Sequence, residues 1–338
     1  KLRTLKRLFS FTLFGGTLAT AWFLRKKKRN DFKEFMQNAK LLNDDQLGDV
    51  KLYQLNNKFI IPEPVVKIWK KLKSFKFRQN DIVLIAFPKT GVTWVQEAVW
   101  LLNNDLNYDS AKRINITERV PFLEFPSPGI STIEKIKDQR LIKTHLPPSL
   151  LFDNETYEKP KVIIIFRNPK DVLVSYYHFS RMNNMIGYKG SFDDFFLRFV
   201  KGVVPYGPFW EHFNDCSNFI DNQNRNNHYK IHVVFYENLK LDFQNEIDKL
   251  CDFIGREKLT DEEMATFKQH CSFDEMRLNS SVNYKHWDDL GLRDKSETPF
   301  MRKGQIGDWV NYFTVGQNAI MNKVIQDKLT KTLNFRYN

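Results

Sequence analysis

The chain has 338 residues, of which 42 % are hydrophobic and 14 % are aromatic, so it can bury a large core and is not a disordered chain. Nine of its 52 basic residues precede the first acidic residue, Asp31, and without those nine there remain 43 basic against 40 acidic residues. Most of the formal net charge of +12 therefore belongs to the N-terminus, and the nearly neutral remainder argues against a nucleic-acid-binding surface.

The composition divides residues 1–30 from residues 31–338, which we interpret as one globular domain. Residues 8–24 are seventeen residues without a charge, between two basic clusters. A helix of that length spans roughly 25 Å, the lower limit for a membrane helix. Because a basic run follows directly where a cleavage site should be, we predict an uncleaved membrane anchor. Five basic residues after the apolar run against four before it favour a cytoplasmic position of the domain that follows. A mitochondrial-type presequence and an interfacial helix are the alternatives.

The first part of the domain, Asp31 to Gln79, has a charged composition that we interpret as a helical lead-in, with extended segments around Phe59 to Pro64. Three cysteines occur later in the chain, at Cys216, Cys251 and Cys271. They are too few and too scattered for a disulfide framework or a zinc site. We predict no metal.

The organising stretch of the chain runs from Ile82 to Asn103. Ile82 to Phe87 is a short apolar run typical of a buried strand, and apolar residues recur at helical spacing after Val92. The loop between them, Lys89-Thr90-Gly91-Val92, would present backbone N–H groups, the positive end of a helix and a lysine to a phosphate. In its predicted order of strand, loop and helix, this segment is P-loop-like. It lacks the GxxxxGK[ST] pattern, which argues against a P-loop kinase.

Three further apolar runs predict strands, at Leu141 to His145, Lys161 to Phe166 and Ile231 to Tyr236. Short apolar strands that alternate with polar loops and helices predict an α/β fold, a single domain with a central parallel sheet flanked by helices. The Asn-rich stretch 221–227 is interpreted as a loop. Ligands of such folds bind beyond the carboxyl ends of the strands.

Cationic side chains occur at several of these predicted strand ends and in one later loop. Arg167 follows a strand, Ser175 lies eight residues further on, and Arg302-Lys303-Gly304 forms a second cationic cluster. Separate cationic clusters in a nearly neutral domain indicate one polyanionic ligand. The alternatives are that Arg167 pairs with Asp171 and that the later cluster is solvated.

His145 is the histidine that stands at a predicted strand end beside a lysine, Lys143. A histidine can accept a proton from a substrate hydroxyl near neutral pH, and a lysine can offset charge on a transferred group. A packed, non-catalytic histidine is the alternative.

Five motifs, in this order, resemble the cytosolic-type sulfotransferases: FPKTGVTW, RLIKTHLP, FRNPKDVLVSYYHF, FYENLK and FMRKGQIGDWVNYFT. The resemblance covers about Ile61 to Arg336. It implies transfer of a sulfuryl group from 3′-phosphoadenosine 5′-phosphosulfate (PAPS) to a small acceptor, without a metal.

The resemblance also implies roles for individual residues. Lys89, Lys143 and His145 would be catalytic, with His145 as general base. The nucleotide would be bound by Lys89, Thr90, Gly91, Thr93, Trp94, Arg167, Ser175, Tyr236, Cys271, Phe273, Arg302, Lys303 and Gly304. The chain departs from the family at Val92 and Cys271, where threonine is usual. Val310 and Ala319 replace residues of the family's dimer motif, so homodimerisation stays open.

The predicted function is transfer of a sulfuryl group from PAPS to the hydroxyl or amine of a small, mostly apolar alcohol, phenol or amine acceptor. Two alternatives belong to the same fold: a membrane-tethered protein that binds PAPS or its product PAP without turnover, and a family member that dehydrates an alcohol. The acceptor pocket is expected around residues 121–128, Tyr188 and Trp287.

Overall fold

The computed structural model describes residues 33, 35–42, 50–126, 128–152, 158–226 and 228–331. The predicted anchor at residues 8–24, with the whole of segment 1–30, lies outside this range. None of the helices within the described range combines the length and the apolar character that a membrane span requires.

The secondary structure alternates between short strands and helices along the chain. The strands are β1 (Ala39–Leu42), β2 (Leu52–Leu55), β3 (Phe59–Pro62), β4 (Ile82–Ala86), β5 (Leu141–Thr144), β6 (Lys161–Phe166) and β7 (Ile231–Phe235). The helices are α1 (Glu63–Val66), α2 (Trp69–Ser74), α3 (Val92–Asn103), α4 (Tyr108–Arg113), α5 (Ile116–Arg119), α6 (Ile130–Ile133), α7 (Pro148–Leu151), α8 (Pro169–Met182), α9 (Phe192–Lys201), α10 (Phe209–Asn226), α11 (Tyr236–Leu241), α12 (Phe243–Ile254), α13 (Asp261–His270), α14 (Phe273–Leu278) and α15 (Val315–Lys328), with 3₁₀ turns at Lys285–Trp287 and Asp308–Asn311.

The four predicted core strands form one parallel sheet in the order β5-β4-β6-β7. In the register, Ile82 pairs with Leu141 on one side and with Lys161 on the other. Every residue of β4 is buried, which matches an apolar run covered on both faces. The predicted fold class, a central parallel sheet flanked by helices, is confirmed.

Alternate residues of β4 enter different cores. Ile82 and Leu84 pack with α3 and α12 on one face, and Val83 and Ile85 pack with α8, α9 and α10 on the other. Successive side chains of a strand point to opposite faces, so a continuous apolar run fills both cores. The loops at the carboxyl ends of the strands are thereby held between two rigid layers.

Two local predictions need correction. The extended segment expected around Phe59 to Pro64 is present as β3, and helical residues occur around Phe35 and in α1 and α2. The sequence did not predict β1 and β2, which join β3 in an antiparallel sheet of order β1-β2-β3. β1 and β2 are short and lack a continuous apolar run, so their pattern resembles that of loops, and the sheet is stabilised by its own small core of Phe35, Tyr53 and Phe59. The Asn-rich stretch 221–227 was predicted as a loop, but α10 continues to Asn226 because asparagine disfavours a helix only weakly.

Candidate active site

One cavity of about 840 Å³ opens at the carboxyl ends of the parallel strands. It is lined by all but one of the predicted site residues: Lys89, Gly91, Thr93, Trp94, Lys143, His145, Arg167, Ser175, Tyr236, Cys271, Phe273, Arg302, Lys303 and Gly304. Thr90 is the exception, because its side chain is buried beneath the loop, where the hydroxyl donates to the carbonyl of Phe87 at 2.9 Å. Apart from Cys271 and Phe273, these residues lie in the five sequence motifs, and the fold brings all of them to one cavity.

The loop between β4 and α3 has a backbone that glycine permits. Gly91 has φ +93°, and a Cβ at that position would lie 2.5 Å from Cδ2 of Tyr236. Lys89 also has a positive φ, +71°, which is uncommon for a residue with a side chain. The first N–H groups of α3 have no acceptor within their own helix, so the loop offers donors and the positive end of the helix to an anion.

The ammonium group of Lys89 lies between two aromatic rings, 4.4 Å from the ring centre of Phe179 and 4.1 Å from that of Phe300. Burial lowers the pKa of Lys89 to about 7, and the positive charges of Lys143, Arg167 and Arg302 act in the same direction. This mutual repulsion indicates that the cationic groups converge on one space, which an anionic ligand would neutralise.

Arg167 is held at the edge of the same loop. Its Nη1 donates to the carbonyl of Lys89 at 3.1 Å and its Nη2 to that of Gln305 at 3.2 Å. The guanidinium lies 4.2 Å from the ring centre of Tyr236. Its Nε is buried and has no hydrogen-bond partner. A buried donor without an acceptor is rare, so this group is suited to an incoming oxygen.

The alternative pairing of Arg167 with Asp171 is not formed. The carboxylate of Asp171 accepts instead from the backbone N–H groups of Gly307 at 2.7 Å and Trp309 at 3.1 Å. Asp171 therefore fastens the later cationic loop to α8, beside Arg167.

The cationic loop at residues 302–304 is tied to one carboxylate and is not merely solvated. Asp308 accepts from Arg302 at 2.5 Å and from Lys303 at 2.6 Å. Burial acts to raise the pKa of Asp308, but hydrogen bonds from Lys303, Arg302 and Asn311 outweigh it and lower the pKa to about 2. The two cations are held in place by an acid that stays ionised near neutral pH.

Gly304 packs its backbone on the ring of Phe273, where a Cβ would lie 2.2 Å from Cδ2. Its φ of +62° also disfavours any residue with a side chain. We expect Gly304→Ala to weaken binding of an adenosine bisphosphate by roughly tenfold or more, while the melting temperature falls by only a few degrees. Calorimetric titration measures the affinity, and Gly255→Ala, at φ +91° with open space around it, is the matched control for backbone strain alone.

The imidazole of His145 is fixed by one hydrogen bond to the backbone. Its Nδ1 lies 2.6 Å from the carbonyl oxygen of Ala86, so Nδ1 carries the proton and Nε2 keeps its lone pair. Burial and then the positive charge of Lys143 lower the pKa of His145 well below its usual value. The imidazole is therefore neutral, as a general base must be before it accepts a proton.

Lys143 stands next to this histidine with its ammonium 4.6 Å from the ring centre of Phe122. Burial lowers the pKa of Lys143 to about 8, whereas the neighbouring Glu124 acts to raise it. Lys143 is therefore largely charged at neutral pH, within the cavity that holds His145 and Lys89.

Trp94 lines the part of the cavity that also contains Tyr236 and Cys271. One face of its indole is stacked on Phe243, with ring centres 5.9 Å apart, and its edge meets Tyr236 at 5.7 Å. Cys271 lines the same region, and burial raises the pKa of its thiol well above the usual value, so it is a neutral, weakly polar wall.

The expected acceptor wall is present in part. Phe122, Phe125, Pro128 and Trp287 line the cavity, but Tyr188 does not. The prediction for Tyr188 was wrong because its ring is fully buried in the core, 5.2 Å from that of Phe195, with its hydroxyl donating to the carbonyl of Ser191. A tyrosine in a loop gives no sequence signal for the side on which it packs.

The comparison with known proteins decides the family. A family model described as "Sulfotransferase domain" matches residues 79–333. Sulfotransferase 1B1 of Mus musculus is 37 % identical over 269 residues, which cover 78 % of this chain and 87 % of the relative. The chain belongs to the sulfotransferase family. Sulfotransferase 1E1 of Homo sapiens is also similar, 36 % identical over 80 % of this chain and 91 % of the relative.

Solved structures agree with this sulfotransferase fold. A retinol dehydratase in complex with androsterone and inactive cofactor PAP has a TM-score of 0.76 and 25 % identity, covering 91 % of this chain and 96 % of the neighbour. Mouse sulfotransferase SULT7A1 complexed with PAP has a TM-score of 0.63 and 27 % identity, covering 82 % and 94 %.

The predictions of a sulfotransferase and of PAPS as its co-substrate are confirmed at the level of the family. Within the described residues, no group of three or more histidine, cysteine or acidic side chains is placed to hold a metal ion. The comparisons and the described residues give no support for membrane association, and they do not address dimerisation.

Proposed function

We propose that this sulfotransferase moves the sulfuryl group of PAPS to the hydroxyl of a small, mostly apolar alcohol or phenol, or to an amine, with His145 as general base. The observation that carries the proposal is the convergence of Lys89, Lys143 and His145 in one cavity, with Nε2 of a neutral imidazole as the available base. The same cavity holds two cationic loops for the two ends of the nucleotide.

The nucleotide would be bound by groups whose present contacts suit each of its parts. The loop at Lys89 and the start of α3 would hold the 5′-phosphosulfate. Arg167, with its buried unpartnered Nε, and Ser175 would bind the 3′-phosphate together with Arg302 and Lys303. Trp94 and Phe273 would enclose the adenine, with Tyr236 and Cys271 beside it.

The reaction breaks the bond between sulfur and the bridging phosphate oxygen and forms a bond from sulfur to the acceptor oxygen. Nε2 of His145 would take the proton of the acceptor hydroxyl. Lys89 would stabilise the negative charge that develops on the bridging oxygen, and Lys143 would stabilise charge on the sulfuryl oxygens. Positioning and electrostatic stabilisation would supply most of the rate, as in phosphoryl transfer.

The acceptor side of the cavity is mostly apolar, with Pro62, Val65, Phe122, Phe125 and Tyr206 among its walls. Such walls favour an acceptor whose body is apolar and whose reactive group is polar. The retinol dehydratase that shares this fold was solved with androsterone, which is an acceptor-sized molecule of this kind.

Transfer of ³⁵S from labelled PAPS to a panel of phenols, steroid alcohols and aliphatic amines tests the proposal. We expect labelled product with one or more of these acceptors, and binding of PAP by calorimetry. No PAP binding together with no transfer to any acceptor would overturn the proposal. PAP binding without transfer, or an unsulfated dehydrated product, would support the two alternatives, which the relatives at 36–37 % identity do not favour.

We expect nucleotide binding to be coupled to protonation of Lys89. Its pKa near 7 in the free protein means that the side chain is charged below pH 7 and increasingly neutral above it. A phosphate group requires the charged form, so the dissociation constant of PAP should rise by up to about tenfold per pH unit above pH 7. Calorimetry between pH 7 and 9, in two buffers of different ionisation enthalpy, measures the affinity and the proton uptake.

Lys89→Arg is the control for this coupling, because arginine stays charged throughout that range. The slope above pH 7 should become shallower in this variant. A slope unchanged by Lys89→Arg would assign the proton uptake to another group and contradict the prediction.

We also propose that residues 8–24 form a membrane anchor, which tethers a cytoplasmic domain by its N-terminus. Its support is the apolar, basic-flanked sequence alone. Deletion of residues 1–30, with fractionation and protease protection of tagged protein, tests it. Identical partition of the full and the shortened chain would contradict the anchor.

A further inference from the structure

Glu124 is a buried carboxylate of the cavity to which the sequence analysis assigned no role. Its side chain is 1 % exposed, and it lines the same cavity as His145 and Lys143. Oε1 of Glu124 accepts a hydrogen bond from the backbone N–H of His145 at 2.6 Å. A carboxylate buried beside this histidine needs a physical explanation, because burial of a charge is unfavourable unless the charge is paired or hydrogen-bonded.

The fold places Glu124 there by an extra backbone pairing at the edge of the parallel sheet. The N–H of Lys143 donates to the carbonyl of Pro121 at 3.0 Å, and the N–H of Leu123 donates to the carbonyl of Lys143 at 2.8 Å. The segment before Glu124 therefore runs alongside β5 in a parallel bridge. Its register brings the carboxylate level with the residues that follow β5.

We propose that Glu124 is a positioning residue of the sulfotransferase reaction, which holds the backbone of His145 through Oε1 and keeps Lys143 protonated through its negative charge. The proposal rests on the proposed function of His145 and Lys143. It assigns two separable properties to one side chain: a hydrogen-bond acceptor, which an amide also provides, and a charge, which an amide lacks.

The groups that face Glu124 determine its charge. They are Lys143, the Thr144 side chain, the backbone N–H of His145 and the partly buried ring of Tyr206. Burial raises the pKa of Glu124 to about 7, against the lowering effect of the hydrogen bonds from His145 and Thr144 and of the charge on Lys143. Above that pH the carboxylate is ionised and favours the charged form of its neighbour.

Removal of the charge on Glu124 should lower the pKa of Lys143. A nearby negative charge raises the pKa of an ammonium group, so removal of that charge must lower the pH at which Lys143 loses its proton. A charged Lys143 is the form that can stabilise the sulfuryl oxygens. With the charge of Glu124 removed, the decline of turnover on the alkaline side should therefore begin at a lower pH.

Glu124→Gln separates the two properties. The amide oxygen still accepts from the His145 N–H, so the fold and PAP affinity should be retained to within about threefold. We expect kcat with saturating PAPS and a responsive acceptor to fall roughly tenfold at pH 8. The alkaline limb of the kcat profile should move down by roughly one pH unit. Steady-state kinetics between pH 6 and 9 measure both.

Glu118→Gln is the matched control, since Glu118 is a carboxylate at the rim of the same cavity. It removes an equal charge, and its alkaline limb should coincide with that of the unchanged protein. An alkaline limb of Glu124→Gln that also coincides with the unchanged protein would overturn the proposal. Lack of transfer by the unchanged protein would instead contradict the proposed function.

Glu124→Asp tests the proposal if the glutamine variant fails to bind PAP. Aspartate keeps the charge but is one methylene too short to reach the His145 N–H in the same way. We expect a lowered kcat with the alkaline limb at its original pH. A shift of the limb in this charge-conserving variant would contradict the role of the charge.

Discussion

His145→Ala is expected to reduce kcat by roughly 10²- to 10⁴-fold, the contribution typical of a positioned general base. The reason is that Nε2 of a neutral imidazole, fixed by the bond from Nδ1 to Ala86, is the group available to take the acceptor proton. PAP affinity should stay within a few fold, because a base acts in the transition state. Single-turnover transfer of labelled sulfate, with calorimetry for PAP, measures the two effects.

His286→Ala is the control for this variant. His286 lines the same cavity, but its Nδ1 lies 2.9 Å from the side-chain amide of Asn115. Its substitution should reduce kcat by less than about tenfold, below the range of a general base. A His145→Ala protein that binds PAP and turns over at a rate close to that of the unchanged protein would remove His145 from the chemistry.

Lys89→Ala should damage both binding and turnover. Loss of a charge-assisted contact to phosphate weakens PAP affinity by roughly 10- to 100-fold. Loss of a preorganised cation at the leaving oxygen lowers kcat by a further factor of roughly 10² to 10³. Both losses follow from the place of the ammonium in the cavity, between Phe179 and Phe300 and close to three other cations.

The backbone of Lys89 calls for a second variant. Its φ is +71°, so alanine keeps the strain of this conformation whereas Lys89→Gly relieves it. Equal losses in the alanine and glycine variants would assign the effect to the ammonium group. Recovery of activity in the glycine variant would show that the ammonium group is dispensable, and it would contradict the assignment.

Local sequence signals were sufficient for the core of the fold. β6 runs from Lys161 to Phe166 as predicted, and the other core strands differ by one residue at their carboxyl ends. Apolar runs of this length, followed by polar loops and helices, form few structures other than the buried strands of a parallel sheet. β3 lies where an extended segment was expected, but β1 and β2 escaped prediction, since two of the four residues of β1 are exposed and leave no apolar run.

Local signals were also sufficient for most of the candidate site, since Lys89, His145 and Arg167 stand at strand ends that a parallel sheet must gather at one edge. They could not assign Glu124, which reaches His145 through a backbone bridge beside β5. Nor could they show that the ring of Tyr188 is buried in the core rather than exposed to the cavity.

The amino-acid order alone therefore determined the family, the sheet and the cationic residues, because each depends on the spacing of residue types along the chain. Only the tertiary structure decided which nitrogen of His145 carries the proton and that Asp308 rather than solvent holds Arg302 and Lys303. It also decided that the buried Glu124 stands beside His145. These features depend on groups far apart in the chain, and hydrogen bonds and burial act between such groups only after folding has brought them together.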